Sequence, residues 1–521
     1  NQYPTTQRTD MDTVGTFTVP MTMSPGVNTV RAVAWRSDGK VSAEASATYR
    51  VVGDGGVAWA KAGLGVTGGQ VIVLARSTSP DINGAGGWVI DSAGRKSGCL
   101  TLYDDTGTPV VATLIQGSTG ASSAVINDLS VGPLGNLYAT GTLSPSATTT
   151  FSFGNGVSVT ASVECGFLAK FDTGGQCLWA VPLTSTVPVV CTGIAYSGAS
   201  IYLCGYAEGS GVILVPGYVT TPIAPVGMPV RNGNTGYVSN AFVMTYSLVG
   251  DPIASYVSGA ADGADRFLGI DTNGSEVVAV GAFRPNLSSS AFNYSSDVLT
   301  GVGGTWNALM VVMNTSLSPS RARTVYTSGA VSAGSAFTSV ATTSSFIALG
   351  GYQTGTESFP WSGATTWTGP STGDNALIIV CNTGGTPIWS GGTQGDPSGS
   401  STVNAIAFNS AGTYLYAVGR VSAGAQTWES DPATSTPTFS SPRSSSPFVV
   451  KVDATYGASP WVTTTTAGSG PAEAWAVAPG TTGTMNVAGT QPGTTGVNWG
   501  YGLTTNGPGS GDNPLLFQVF D

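Results

Sequence analysis

Short apolar runs that stop on a polar residue recur along the whole chain. The run Asn513–Asp521 has counterparts at Cys165–Asp172, Asn240–Ser247, Asn307–Asn314, Asn375–Asn382 and Pro447–Asp453. Marked by the residue that ends each, Asp104, Asp172, Ser247, Asn314, Asn382, Asp453 and Asp521 follow one another at intervals of about 70 residues, the signature of a repeat architecture. Seven copies predict a ring. After each run comes a segment such as Cys177–Val181 or Pro387–Ser390, and each unit holds a second predicted hairpin that ends in small residues: Ile126–Gly141, Thr192–Gly205, Phe267–Gly281, Phe337–Gly350, Val403–Gly419 and Ala474–Gly489. Short strands with Gly, Asn or Ser turns account for this pattern, and small residues suit crowded inner strands. Four strands per unit make a blade, so the prediction is an all-β, seven-bladed propeller over residues 54–521.

The segment Val57–Gly63 resembles those that come directly after an apolar run in other units, yet no suitable run precedes it. Its missing partner is Asn513–Asp521, which predicts ring closure by pairing an N-terminal strand with a C-terminal one. Between the second and third strands of most blades lies an excursion of about 25 residues holding an aromatic group: Phe151 and Phe153, Phe292 and Tyr294, Phe359 and Trp361, or Trp499. These are expected to anchor the loops by packing, or alternatively to form a ligand platform.

Residues 13–53 alternate with the period of strands and resemble the last strands of a bacterial immunoglobulin-like domain, about half of one. Such a half-sandwich exposes an apolar face and open edges. Residues 1–12 then read either as an extended donor strand or as a free end. The expected contact residues are Thr16, Phe17, Val19, Val30, Ala32 and Trp35, with Tyr3 as a donor anchor.

Composition narrows the function. Charged residues are 9% of the chain, against about 25% in an average protein. A net charge of −10 and a pI near 4.5 oppose nucleic-acid binding, which needs clustered Lys and Arg. No apolar run has the length of a transmembrane helix. The chain opens without a signal-like segment, which reads as a mature or trimmed product. Six cysteines permit disulfides; Cys191 and Cys204 flank a hairpin and are the candidate pair, with buried thiols as the alternative.

The unit beginning Phe167-Leu168-Ala169-Lys170-Phe171-Asp172 and continuing through Leu178-Trp179-Ala180 to Gly193-Ile194-Ala195-Tyr196 resembles the bacterial SBBP-type β-propeller repeat. Ser247, Asn314 and Asn382 depart from it by replacing the family's Asp. The resemblance implies a seven-bladed propeller from an exported or surface protein and implies no chemistry.

The chain contains no histidine, which excludes Ser-His-Asp and Cys-His catalysis and His-ligated zinc. Asp262, Asp265, Asp271 and Glu276, with Arg266, form the richest acidic cluster and are read as solvated turn residues. Asp81-Ile82-Asn83-Gly84 opens like a calcium loop but lacks the later ligands. A structural Ca²⁺ cannot be placed, and no cofactor, metal or catalytic residue is assigned. Asn273, Asn286, Asn293 and Asn314 begin glycosylation sequons. From these readings the chain is expected to be a non-enzymatic extracellular or cell-surface structural protein, a subunit of an assembly or filament whose partner is itself. The alternative is an adhesin that takes a surface glycan or protein on its loop face, through Trp361 or Trp499.

Overall fold

The computed structural model describes residues 26–32, 45–51 and 57–62 and most of 69–520, with 215–225, 228–238 and several shorter segments excepted. Seven antiparallel sheets follow one another around a common axis. Their innermost strands are Gly69–Thr78, Ser123–Val131, Val189–Ser197, Ala264–Thr272, Ser335–Thr342, Ser401–Phe408 and Glu473–Pro479, numbered here as blades 1 to 7. In blade 4 the remaining strands are Glu276–Arg284, Asn307–Asn314 and Pro319–Val325. Blade 7 takes Val57–Ala62 as its outermost strand, with Val57 opposite Val519 and Ala62 opposite Leu515. The ring thus closes as the sequence predicts.

The apolar runs are the third strands, sandwiched between neighbouring blades. Burial on both faces explains why they are almost continuously apolar instead of alternating. In Asn307–Asn314 every residue but the last is buried, whereas the outer strand Cys177–Ser185 alternates. Buried apolar side chains of the described residues fall into one cluster per seam between blades, from Leu100, Leu137 and Phe167 between blades 1 and 2 to Val71, Leu74, Ala85, Tyr103, Ala476, Ala478, Ala488 and Leu516 between blades 7 and 1.

The polar markers turn the chain from third to fourth strand. Asp104 Oδ1 accepts the N–H groups of Thr106 and Thr108, Asp172 Oδ1 those of Gly174 and Gln176, Asn314 Oδ1 those of Ser316 and Ser318, and Ser247 Oγ that of Asp251. An oxygen acceptor is what the turn requires, so Asp, Asn and Ser all serve. The same turn needs one residue with positive φ. Glycine supplies it at Gly107, Gly175, Gly250, Gly385 and Gly457, and Leu317 (φ 61°) takes its place in blade 4.

The excursions clasp the preceding blade. Thr149–Gly154 leaves blade 2 and pairs with the outer strand of blade 1, placing Phe151 opposite Gly117; Gly424–Asp431 of blade 6 joins the outer strand of blade 5 in the same manner. Phe151, Phe153 and Trp428 are fully buried, and Phe153 meets Phe167 edge to face at 5.2 Å. Packing anchors these aromatics. The backbone of Trp361 lies in the equivalent strand of blade 5, and Trp499 lies outside the described residues.

At the amino end, Gly26–Ala32 and Ala45–Val51 form an antiparallel hairpin in which Val30 faces Ala47 and Ala32 faces Ala45. Tyr3, Thr16, Phe17, Val19 and Trp35 lie outside the described residues. Cys191 and Cys204 do not form a disulfide. A register shift sets Cys191 opposite Gly205 and Cys204 opposite Gly193, and the two thiols enter different seams, Cys191 toward blade 2 and Cys204 toward blade 4.

Candidate functional site: the axial channel

Each innermost strand carries a β-bulge, and the bulges stand level around the axis. The extra residues are Ile72, Asn127, Thr192, Leu268, Thr338, Asn404 and Trp475. Opposite each bulge the second strand supplies a glycine: Gly87, Gly141, Gly205, Gly281, Gly351, Gly419 and Gly489. A Cβ at any of them would be driven into an inner-strand carbonyl oxygen, for example that of Arg266 at Gly281. This explains the glycine that ends five of the six predicted hairpins; in blade 5 the glycine at the bulge is Gly351, one residue beyond the predicted end at Gly350.

The bulge residues face the channel and tie neighbouring blades together. Asn127 Nδ2 donates to the Cys191 carbonyl at 2.7 Å, Thr192 Oγ1 to that of Phe267 at 2.8 Å, Thr338 Oγ1 to that of Val403 at 2.8 Å and Asn404 Nδ2 to that of Ala474 at 2.8 Å. Each bond spans one seam. Leu268, Ile72 and Trp475 occupy the same position without such a bond; the Trp475 indole N–H donates to Thr490 at 3.0 Å within its own blade.

An innermost strand is a sheet edge, and its N–H groups on the axial side have no ladder partner. Several are capped from the preceding blade. The residue after the bulge in blade 2 is Asp128, whose Oδ2 accepts the Ile194 N–H at 2.8 Å while Oδ1 accepts that of Leu129 at 2.8 Å. In blade 5 Ser339 Oγ does the same for Ile406 at 3.1 Å. Two residues further along blade 4, Asp271 Oδ2 accepts both the N–H and the hydroxyl of Thr342, at 2.7 and 2.9 Å.

Together the seven bulges enclose an axial cavity of about 510 Å³. Its wall combines Ile72, Leu268, Ile406 and Trp475 with Asn127, Thr192, Thr338 and Asn404, and its charged residues are Asp128 and Asp271, with no basic residue among them. Asp128 and Asp271 sit two residues apart in strand position, about 7 Å of backbone rise. Burial pushes Asp128 up to about 7, against the pull of the Ile194 and Leu129 N–H groups and with help from the Asp271 charge. Burial likewise pushes Asp271 up to about 6, opposed by its bonds to Thr272 and Thr342.

The acidic cluster read from the sequence is therefore not one site. Asp265 is buried and caps the Ala241 N–H at 2.9 Å, Glu276 pairs with Arg321, and Asp262 lies outside the described residues; Asp271 alone reaches the channel. Nor is Asp81–Gly84 a loop. It lies in the second strand of blade 1, where Asn83 is buried and donates to Asp105 at 3.1 Å. Among the described residues no group of three or more Cys, Asp or Glu side chains gathers to hold a metal ion. Of the sequons, Asn273 and Asn314 use their side-chain oxygens in turns. Among the described residues no helix is long and apolar enough to cross a membrane.

No family model matches the chain, the SBBP-type repeat included, and no curated protein matches it. The fold is similar to that of solved quinohemoprotein alcohol dehydrogenases. The enzyme of Comamonas testosteroni is 12% identical with a TM-score of 0.39, and ADHIIG of Pseudomonas putida HK5 is 9% identical with a TM-score of 0.36; each match covers 89% of this chain and 76% of the other. At these values neither protein lends its activity, cofactor or residues to this chain. The expectation of a non-enzymatic structural subunit, with its adhesin alternative, is nevertheless corrected here. The absence of histidine, on which that expectation leaned, leaves two half-buried carboxylates lining the axis.

Proposed function

We propose that the axial channel binds a small organic cation. The observation that carries this reading is that Asp128 and Asp271 exceed what the architecture needs. At the position of Asp128 the other blades have Val73, Gly193, Gly269, Ser339, Ala405 and Ala476, and at that of Asp271 they have Ala75, Ser130, Ala195, Ala341, Ala407 and Ala478. A serine hydroxyl caps the edge in blade 5, and five blades have no acceptor there at all. Even half-buried, a carboxylate costs more to desolvate than a hydroxyl unless a positive charge compensates it. No lining residue supplies that charge.

The size and apolar share of the wall favour an organic cation over a bare metal ion, and the Trp475 indole suits an ammonium group. Calorimetry with cyclohexylamine, cyclohexanol and cyclohexanecarboxylate tests the reading. Saturable binding of the amine alone, weakened at least about tenfold in Asp128→Asn/Asp271→Asn, is expected. Equal binding of amine and alcohol, or no binding of the amine, overturns it.

A further inference from the structure

A second cavity, of about 470 Å³, lies between the inner hairpins of blades 5 and 6 and shares Asp271, Val340 and Ile406 with the axial channel. Asp271 thus stands at the neck joining the two. Past the neck Thr342, Thr343, Asn409 and Ser410 join Val340, Ile406 and Phe408 in the wall, and Asp271 is the one ionisable residue among those lining it.

The hydroxyls are placed to serve a ligand. Thr343 Oγ1 accepts the N–H groups of Ser345 and Phe346, at 3.2 and 3.0 Å, which leaves its own proton to donate. Thr342 Oγ1 spends its proton on Asp271, which leaves its lone pairs to accept. Ser410 is exposed at the rim, and Phe408 backs the cavity as a largely buried ring stacked on Phe346 at 6.4 Å. One donor and one acceptor on adjacent residues match a group that is itself both, which is a hydroxyl.

The geometry points to a hydroxylated cation of sugar size, an amino sugar, with its ammonium group at Asp271 and its hydroxyl-bearing ring in the vestibule between blades 5 and 6. This rests on the axial reading and deepens it, since Asp271 belongs to both cavities. The neutral vestibule selects by hydrogen bonding, and a site built to bond hydroxyls discriminates against an analogue that lacks them.

The test compares D-glucosamine with cyclohexylamine, a ring of the same size and charge without hydroxyls, by calorimetry at pH 7 on the full chain. Glucosamine is expected to bind at least about tenfold more tightly, and Ser410→Trp, which fills the vestibule from its exposed rim, is expected to abolish that preference with thermal melting unchanged. Equal affinity for the two amines, or a preference that survives Ser410→Trp, overturns the vestibule while the axial site stands. Binding of neither amine overturns both.

Discussion

Ile194 donates its backbone N–H to Asp128 Oδ2 at 2.8 Å across the seam between blades 2 and 3, the bond that Ile406 makes to Ser339 Oγ between blades 5 and 6. One architectural task is done by a charge in one place and by a neutral hydroxyl in the other. The difference has a pH signature. The carboxyl of Asp128 rises from 3.8 when unfolded to about 7 when folded, and that of Asp271 from 3.8 to about 6. The folded state therefore holds these protons more tightly. The stability they contribute is complete below 3.8 and is lost as pH rises through 6 and 7. Melting temperature should fall between pH 4 and pH 8, and Asp128→Asn/Asp271→Asn should flatten the fall and be the more stable protein at pH 8. A double variant less stable than the parent at pH 8 would contradict this account.

The ligand should feel the same titration. A cation prefers the ionised carboxylates, so its affinity should rise with pH through 6 to 7 and level off above, with protons released on binding at pH 6.5. Calorimetry in buffers of different ionisation enthalpy reads the proton count directly; a count of zero is the opposing result.

The hydroxyls of Thr192 and Thr338 bridge seams to the carbonyls of Phe267 and Val403. Replacing either with isosteric valine leaves a carbonyl without its donor, at a cost of about 1–3 kcal/mol. Urea unfolding should place Thr192→Val and Thr338→Val in that range, and the exposed Thr150→Val within about 0.5 kcal/mol of the parent.

Leu317 is 3% exposed and packs in the seam between blades 3 and 4, yet its φ of 61° is one that other blades give to glycine. Truncation to alanine loses the packing and keeps the strain; truncation to glycine loses the packing and relieves it. Leu317→Gly should accordingly be more stable than Leu317→Ala, by about 1 kcal/mol. The usual order, alanine above glycine, would show that the strain is absent.

At Gly281 a methyl group would collide with the Arg266 carbonyl and the Phe267 backbone, all fixed by the bulge. Gly281→Ala should cost more than about 3 kcal/mol or prevent folding. Gly120→Ala, where an added Cβ meets nothing within 4 Å, should cost little by the same melts.

The blades were legible because each third strand is buried on both faces and ends at an oxygen-bearing turn, so apolar runs and Asp, Asn or Ser markers recur together. The channel was not legible. The seven bulge residues run from Ile72 to Trp475 with no shared chemistry, since what unites them is a backbone irregularity. Asp265 and Asp271 are near in sequence, but the bulge and the strand's alternation send one to a third strand and the other to the axis. Asp128 and Asp271 fall at different positions of their repeats, so comparing the units does not bring them together. Glycine was the one signal of the site in plain view, as the small residue ending each predicted hairpin.

The closure of blade 7 has a mechanical consequence. Val57 lies opposite Val519 and Ala62 opposite Leu515, so the chain enters and leaves this pair of strands at the same end. A force drawing residues 57 and 520 apart therefore loads the hydrogen bonds one after another, as in opening a zip, and never all at once in shear. Behind them the seam between blades 7 and 1 sets four alanines, Ala85, Ala476, Ala478 and Ala488, among Val71, Leu74, Tyr103 and Leu516. The pair of strands that closes the ring is thus also the pair along which it peels open.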